Sequence, residues 1–293
     1  MLNSQRFFRL KKKILRITGV MKKDYKTYVG GIIILLILLS AALAPWIAPH
    51  DPYKTDVRNR LKGPSFRNPL GTDSLGRDIL SRIIYAARPA VYVSFGGLSI
   101  SVVMGLILGS IAAYAGGFID NIILFFFDVI RAFPPMILIL VLVAIVGPSI
   151  VSVIIILGVT IMPRYGRVVR AETLSEKEED FVEAARSLGA SNFRIIFKHI
   201  MPNIFASVLV LGGMDMASMI MWEAGLSFLG LGLQPPKTSW GVMLKQAYQY
   251  IQTAPQMILW PAIAISLTML GFSIFAESLR VALNPRASKR GEK

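Results

Sequence analysis

The 293-residue sequence contains no cysteine and only two histidines, and both shortages exclude kinds of chemistry. Without a thiol the chain has no disulfide, no cysteine nucleophile and no Cys-based zinc or iron–sulfur site. His50 and His199 are too few and too separated in the sequence for an evident metal site. The sequence also lacks the G-x-x-x-x-G-K-[ST] loop that cradles nucleotide phosphates. We therefore expect no enzyme active site, no metal and no cofactor on this chain.

Acidic residues are also scarce, 17 against 32 lysines and arginines, which leaves a net charge of +15. In a soluble protein this excess would indicate a nucleic-acid partner. Here the cations flank long apolar blocks and do not interleave with aromatic residues. Anionic lipid headgroups and membrane orientation account for such cations, so we expect membrane lipid as a partner and no nucleic acid.

Apolar residues, in contrast, make up 54% of the chain, and the mean hydropathy is +0.58. Runs of about 20 apolar residues are long enough to cross a bilayer. The third run is interrupted by Asp128, Arg131, Pro134 and Pro135, and we expect Asp128 and Arg131 to neutralise one another on one helix face. The sequence predicts an all-α polytopic membrane protein with about six transmembrane helices, at 28–48, 90–115, 122–146, 149–162, 204–228 and 257–279.

The first span ends in the letters AALA, which mimic a signal-peptide cleavage site. The basic region before it is long for a signal peptide, and Pro45 would follow the cut. These two features favour an uncleaved span.

Basic residues also orient the spans, because cytoplasmic loops carry an excess of lysine and arginine. With both termini in the cytoplasm, 22 of the 32 basic residues lie inside and ten outside. The predicted organisation is a basic cytoplasmic tail (1–27), a first span (28–48), an extracytoplasmic segment (49–89), a transmembrane domain (90–281) and a cytoplasmic C-terminal tail (282–293).

A polar stretch, FVEAARSLGASNFRIIFKHIMPN at 181–203, separates the fourth and fifth spans. Ser175 and Glu178 have capping-box spacing, which predicts a helix start. Gly189 suits the left-handed end of that helix. Between this start and this end lies one apolar stripe of small and large residues: Phe181, Ala184, Ala185 and Leu188.

A second helix is predicted from Ser191, whose side chain suits an N-cap. Its broad apolar face, Phe193, Ile196, Phe197 and Ile200, is typical of a helix lying on a membrane surface. The first helix has a surface better suited to another protein. From pattern alone, a solvated loop helix without a special role remains the alternative.

The same stretch resembles the cytoplasmic EAA signature of the permease subunits of ABC importers, which is Glu-Ala-Ala, three residues, Gly, nine residues and a hydrophobic-x-Leu-Pro ending. Two positions depart from the general pattern: His199 replaces Ile, as is common in the peptide-importer branch, and Met201 replaces Leu. The matching residues are Glu183, Ala184, Ala185, Gly189 and Pro202.

Two further stretches resemble the dipeptide and oligopeptide permeases. NPLGTDSLGRDILSRIIYAARPA, at 68–90, is similar to their segment before the transport domain. EAGLSFLGLGLQPPKTSWGVML, at 223–244, is similar to their segment after the fifth span. The resemblance covers nearly the whole chain from about residue 28.

This resemblance implies a multi-pass permease subunit in a bacterial or archaeal plasma membrane. It implies three kinds of partner: a second homologous permease, two cytoplasmic ATPases that hold the ATP and Mg²⁺, and an extracytoplasmic solute-binding protein. The polar hairpin would hold the coupling helix, with ATPase-coupling residues Glu183, Ala184, Ala185, Leu188 and Gly189. Closure of the ATPases would reach the spans as rigid-body motion.

Ionisable residues inside spans are functional candidates by default. Asp215 lies mid-span, and it is expected either to face the pathway and meet the amino group of a peptide or to form an inter-subunit hydrogen bond. Met214 and Met219 nearby could adapt to varied side chains. Glu223, near the outer end of the span, either helps to close an outer gate or reaches the interface water.

Three functions compete at this point. The first is a permease subunit of an importer for dipeptides or oligopeptides, with nickel or glutathione as alternative cargo of the same family. The second is a self-contained secondary transporter or channel, which requires coupling-ion residues near mid-membrane. The third is a membrane anchor without a pathway of its own.

Overall fold

A computed structural model describes residues 24–283 of the chain. The predicted tails lie almost wholly outside these residues, at 1–23 and 284–293. Within the described part the chain is helical, with a single isolated β-bridge between Thr72 and Asp78. The prediction of an all-α membrane protein is confirmed.

Ten α-helices, a 3₁₀ turn at Val57–Asn59 and a π-helical turn at Ile195–Ile200 follow one another between residues 24 and 283. The α-helices are α1 Tyr25–Ile47, α2 Ile79–Ala115, α3 Gly117–Arg131, α4 Pro135–Val146, α5 Ile150–Glu176, α6 Asp180–Ser187, α7 Asn192–Arg194, α8 Met201–Leu229, α9 Trp240–Tyr248 and α10 Gln256–Leu283.

Five helices in this range, α1, α2, α5, α8 and α10, are long and apolar enough to cross a membrane. The third predicted span, 122–146, is two helices, α3 and α4, which meet at 90°. Pro134 and Pro135 explain the break, because proline has no N–H to donate and disfavours helical geometry in the residue before it. The fourth span was predicted too short: α5 continues past Met162 to Glu176.

Small residues set the distance between the spans. A Cβ on Gly30 of α1 would lie 2.8 Å from the backbone nitrogen of Phe275 in α10. A Cβ on Gly213 of α8 would lie 2.8 Å from the Cβ of Ala276, which is also in α10. Lipid tails offer no hydrophobic drive for helix association, so close backbone approach supplies the packing.

The bundle has two polar ends. One end carries the hairpin, residues 177–200, together with the start of α1 and the end of α10, where Ser278 donates a 2.9 Å hydrogen bond to Asp24. The other end carries residues 48–78 and 230–255, which we call the cap. The cap joins the two stretches, 68–90 and 223–244, that resemble peptide permeases.

Candidate functional site

The hairpin helix α6 begins later than predicted. Ser175 does not cap it, because α5 continues through Ser175 to Glu176 and the chain turns before Asp180. Glu179 is the N-cap residue, and Asp180 and Glu183 lie in the first turn, where the helix dipole favours negative charge. The acidic cluster therefore marks the helix start, and the capping box does not form.

The end of α6 is as predicted. Gly189 has a φ of +76°, a conformation that residues with a Cβ rarely adopt. The N–H of Ala190 donates to the carbonyl of Ala185 at 3.0 Å, and the N–H of Gly189 donates to the carbonyl of Arg186 at 2.9 Å. These two bonds form a Schellman motif, which satisfies carbonyls left free at the helix end.

Helix α6 has two apolar faces, and only one is open. Val182 is fully buried and Ala185 is 9% exposed, whereas Leu188 is 80% exposed. Phe181, Glu183 and Ala184 are also exposed. Of the predicted coupling residues, Ala185 therefore packs against its own chain, where it helps to seat α6 on the bundle.

The second hairpin helix runs without interruption into α8. The N–H of Arg194 donates to the Ser191 hydroxyl at 3.4 Å, so Ser191 is the N-cap as predicted. The predicted membrane-facing surface is divided: Ile196 and Ile200 are buried, while Phe193 and Phe197 are exposed with ring centroids 4.3 Å apart. The π-helical turn that carries this segment belongs to a class of distortion that is frequent at functional sites.

One apolar cluster, the connecting cluster, joins the hairpin to two spans. Close-packed interiors transmit displacement because they deform little. The cluster contains residues of α6, α5 and α8. The buried members of the cluster are Ile161, Tyr165, Val169, Val182, Ala185, Ile195, Ile200, Ile204, Val208 and Met219.

Beside this cluster, α5 carries three arginines at intervals of three residues, and each pairs with an aspartate of another helix. We call this set the charge ladder. Arg170 makes a bidentate contact with Asp120, at 2.6 and 2.5 Å. The predicted pair of Asp128 with Arg131 is wrong, because Asp128 pairs across helices with α5. The three pairs are Arg164–Asp215, Arg167–Asp128 and Arg170–Asp120.

Asp215 belongs to the first pair of the ladder along α5, which we call its top, and it is buried, 5% exposed. One carboxylate oxygen accepts from Arg164 and the other accepts from the Tyr165 hydroxyl at 2.7 Å. Both of these partners are in the same chain. A contact with a solute amino group and an inter-subunit bond both stay predictions. Tyr165 also belongs to the connecting cluster, so the hairpin is physically joined to Asp215.

The other predicted pathway residues lie in different environments. Met219 is fully buried in the connecting cluster, whereas Met214 is 44% exposed. Glu223 is 1% exposed and accepts from the Ser227 hydroxyl at 2.7 Å, so it does not reach interface water. Its part in an outer gate stays a prediction.

The cap is held by a buried ionic network that sequence reasoning missed. Asp73 accepts hydrogen bonds from the Arg77 backbone and side chain, at 2.9 and 2.7 Å, and from Arg82. Both arginines also donate to Gln246, each at 3.0 Å. The indole N–H of Trp240 also donates a 3.1 Å hydrogen bond to the Ile83 carbonyl. The network fixes α9 against the start of α2.

The sequence offered one signal for the charge ladder: directly after an apolar run, arginine recurs at every third position, 164, 167 and 170. Ending the fourth span at Met162 assigned these cations to a cytoplasmic loop. No comparable signal marked the contacts of the cap network with α9, since Trp240 and Gln246 lie more than 150 residues from their partners. Among residues 24–283, no cluster of three or more His, Asp or Glu side chains is arranged to hold a metal ion.

Comparison with known proteins places most of the chain in two families. Residues 105–289 match the family described as binding-protein-dependent transport system inner membrane component. Residues 21–64 match the N-terminal TM domain of oligopeptide transport permease C.

Individual relatives cover nearly the whole chain. The dipeptide transport system permease protein DppC of Alkalihalophilus pseudofirmus is 41% identical over 91% of this chain and 88% of its own length. The glutathione transport system permease protein GsiD of Pectobacterium atrosepticum is 37% identical over 90% of this chain and 88% of its own length.

A solved structure shares the fold. The MetNI methionine ABC transporter, in an inward-facing conformation, superimposes with a TM-score of 0.54 at 17% identity. The match covers 69% of this chain and 96% of the matched chain.

Proposed function

Because the chain belongs to the family of binding-protein-dependent transport system inner membrane components, it is a permease of an ATP-binding-cassette importer, and we propose that its cargo is a dipeptide or oligopeptide. A dipeptide permease is among the relatives at about two-fifths identity over nine-tenths of the chain. The cap supports the same cargo class, because it joins the two stretches that resemble peptide permeases. The glutathione permease relative makes glutathione the second candidate.

The proposed importer contains this chain, a second homologous permease, two cytoplasmic ATPases and an extracytoplasmic solute-binding protein. The hairpin end of the bundle faces the cytoplasm and the cap faces outward, as the distribution of lysine and arginine predicts. ATP and Mg²⁺ bind to the ATPases, and this chain contributes the pathway and the coupling element.

The exposed face of α6 is the proposed ATPase contact. It presents two large apolar side chains, Phe181 and Leu188, beside the small Ala184 and the charged Glu183. Large apolar anchors surrounded by polar groups are typical of binding hot spots. The buried face, Val182 and Ala185, holds the same helix to the bundle.

Coupling then follows from the packing. Movement of an ATPase displaces α6, and the connecting cluster transfers the displacement to α5 and α8 as a rigid-body shift. The same shift acts on the Tyr165 hydroxyl, which donates to Asp215, and therefore on the top pair of the charge ladder. The observation that carries this proposal is the single apolar cluster shared by the hairpin and the spans.

Reconstitution tests the proposal. The chain is purified with the products of neighbouring genes, placed in liposomes with ATP, and assayed for uptake of dipeptides, oligopeptides, glutathione and nickel. We expect peptide uptake that requires the ATPases. Uptake by the chain alone would overturn the proposal in favour of a secondary transporter, and uptake without this chain would make it an anchor.

Two glutamates provide a matched test of the contact face. Glu183 and Glu178 are both exposed, but only Glu183 lies on α6. We expect Glu183→Lys to prevent copurification with the ATPases or to uncouple ATP hydrolysis from uptake, while Glu178→Lys keeps both. Equal coupling in the two variants would contradict the assignment of α6 as the docking helix.

A further inference from the structure

Arg164 has an unusual position in a well-buried helix. It lies near the middle of α5, between the buried residues Pro163 and Tyr165. Its own side chain is 45% exposed, whereas that of its partner Asp215 is 7% exposed. The exposed member of this ion pair is therefore the positive one.

An arginine in this position would face lipid only at a high cost in free energy, because charged side chains are unfavourable in hydrocarbon. Such residues face the interior of an assembly or a water-filled cavity. The next pair of the ladder is also partly open: the side chains of Arg167 and Asp128 are 39% and 63% exposed. This run of accessible charge indicates a hydrated surface along α5.

The neighbouring part of α8 is suited to varied cargo. Met214 and Met221 are 44% and 48% exposed, and they are seven residues apart, on one face of the helix. Methionine is flexible and polarizable, so it packs against side chains of different shapes. Polar binding groups beside an adaptable apolar wall are typical of ligand sites.

We infer that Arg164 lines the aqueous pathway and binds the carboxylate of the passing solute, which is the C-terminal carboxylate of a peptide if the proposed function holds. The planar guanidinium has five N–H donors and recognises carboxylates. Asp215 engages the guanidinium through Nη1 and offsets its charge. A solute carboxylate is therefore held weakly enough to be released, as conduction requires.

Thiol labelling tests the first part, because the native chain contains no cysteine. The double variant Arg164→Cys/Asp215→Asn avoids leaving a buried carboxylate unpaired. In the reconstituted importer, we expect a membrane-impermeant thiol reagent to modify this chain, and saturating peptide to slow the reaction. Absence of modification in both resting and ATP-bound importers would overturn the inference.

Ile32→Cys is the depth-matched control. Gly30 and Gly213 contact the neighbouring residues Phe275 and Ala276 of α10, so Ile32 and Asp215 each lie two residues further along their spans at a similar depth. Ile32 is 57% exposed on α1, a helix with little buried surface. We expect no modification of this lipid-facing thiol. Equal labelling of the two positions would show that the reagent does not report a pathway.

Paired cargo tests the second part. Uptake of a peptide is compared with uptake of the same peptide carrying a C-terminal amide, in Asp215→Asn and in Arg164→Gln/Asp215→Asn. In Asp215→Asn no carboxylate offsets Arg164, so we expect a stronger preference for the free carboxylate. We expect the double variant to lose about tenfold of that preference. An unchanged preference in both would overturn the role of Arg164 in binding. If the native importer takes up no peptide, the proposed function fails, and the labelling result still decides whether Arg164 faces water.

Discussion

The two ends of the bundle are stabilised in opposite ways. The cap is held by buried charge: Asp73, Arg77 and Arg82 are all less than 10% exposed. Both arginines donate to Asp73 and to Gln246. Helix α6 of the hairpin is held by the apolar packing of two residues, Val182 and Ala185, and it ends at a glycine. Buried ionic networks require specific geometry, whereas apolar contacts are less directional.

This difference fits two mechanical roles. A network whose members are satisfied in one arrangement holds the cap in a single position relative to the start of α2. Helix α6 is seated on the bundle by few side chains, so it can move with a partner while the connecting cluster keeps it attached to α5 and α8. Four predictions test this comparison, from the largest expected effect to the smallest.

Arg82→Met should have the largest effect, because it removes the arginine that contacts Asp73, Thr238 and Gln246. Breaking a buried charge pair by removing one partner costs about 3–5 kcal/mol. Thermal unfolding of the purified protein in detergent measures the loss. The exposed Arg58, also in the cap, provides the control Arg58→Met, which should unfold like the native protein. Similar stability of the two variants would show that the network does not hold the cap.

Gly189→Val should impair transport more than it impairs folding. A β-branched residue in the left-handed conformation costs about 1–2 kcal/mol, which is enough to displace the end of α6. ATPase-dependent uptake is the measurement, and size-exclusion chromatography reports the folded state. Gly63 in the cap has open space around it and no left-handed φ, so Gly63→Val should retain uptake. Normal coupling in Gly189→Val would contradict a role for the α6 geometry.

Val182→Ala and Leu188→Ala separate the two faces of α6. Val182 is buried, so its truncation should cost about 1.6 kcal/mol at roughly 0.8 kcal/mol for each carbon removed. Leu188 is 80% exposed, so its truncation should leave stability unchanged and weaken ATPase binding. Thermal unfolding and copurification with the ATPases provide the two readouts. A loss of ATPase binding in Val182→Ala together with a loss of stability in Leu188→Ala would contradict the proposed contact.

Ser191→Ala should have the smallest effect. The hydroxyl accepts from the Arg194 N–H at 3.4 Å, a long bond, so the loss should be at most about 1 kcal/mol. Hydrogen exchange of the Arg194 amide should increase while global unfolding is unchanged. Ser149, which caps α5 with a 2.9 Å bond near the cap, is the comparison: Ser149→Ala should cost more. An equal or larger cost at Ser191 would show a tighter hairpin than the structure indicates.

The sequence by itself determined the helices and much of the hairpin. Apolar runs predict the spans because a bilayer demands uninterrupted backbone hydrogen bonding, and Gly189 and Ser191 mark their helix ends through backbone geometry. These are local effects, and the structure confirms them. The extension of α5 past Met162 was missed because its arginines look like loop charges until partners are known.

Only the tertiary structure decided which residues face each other. Asp215 pairs with Arg164 across 51 positions, Asp128 pairs with Arg167 and not with the nearby Arg131, and Arg82 meets Gln246 across 164 positions. Helical periodicity places a residue on a face, but the neighbour of that face depends on how separate helices pack. For this reason the sequence could place Asp215 in a span, while packing alone shows that Arg164 is the exposed charge.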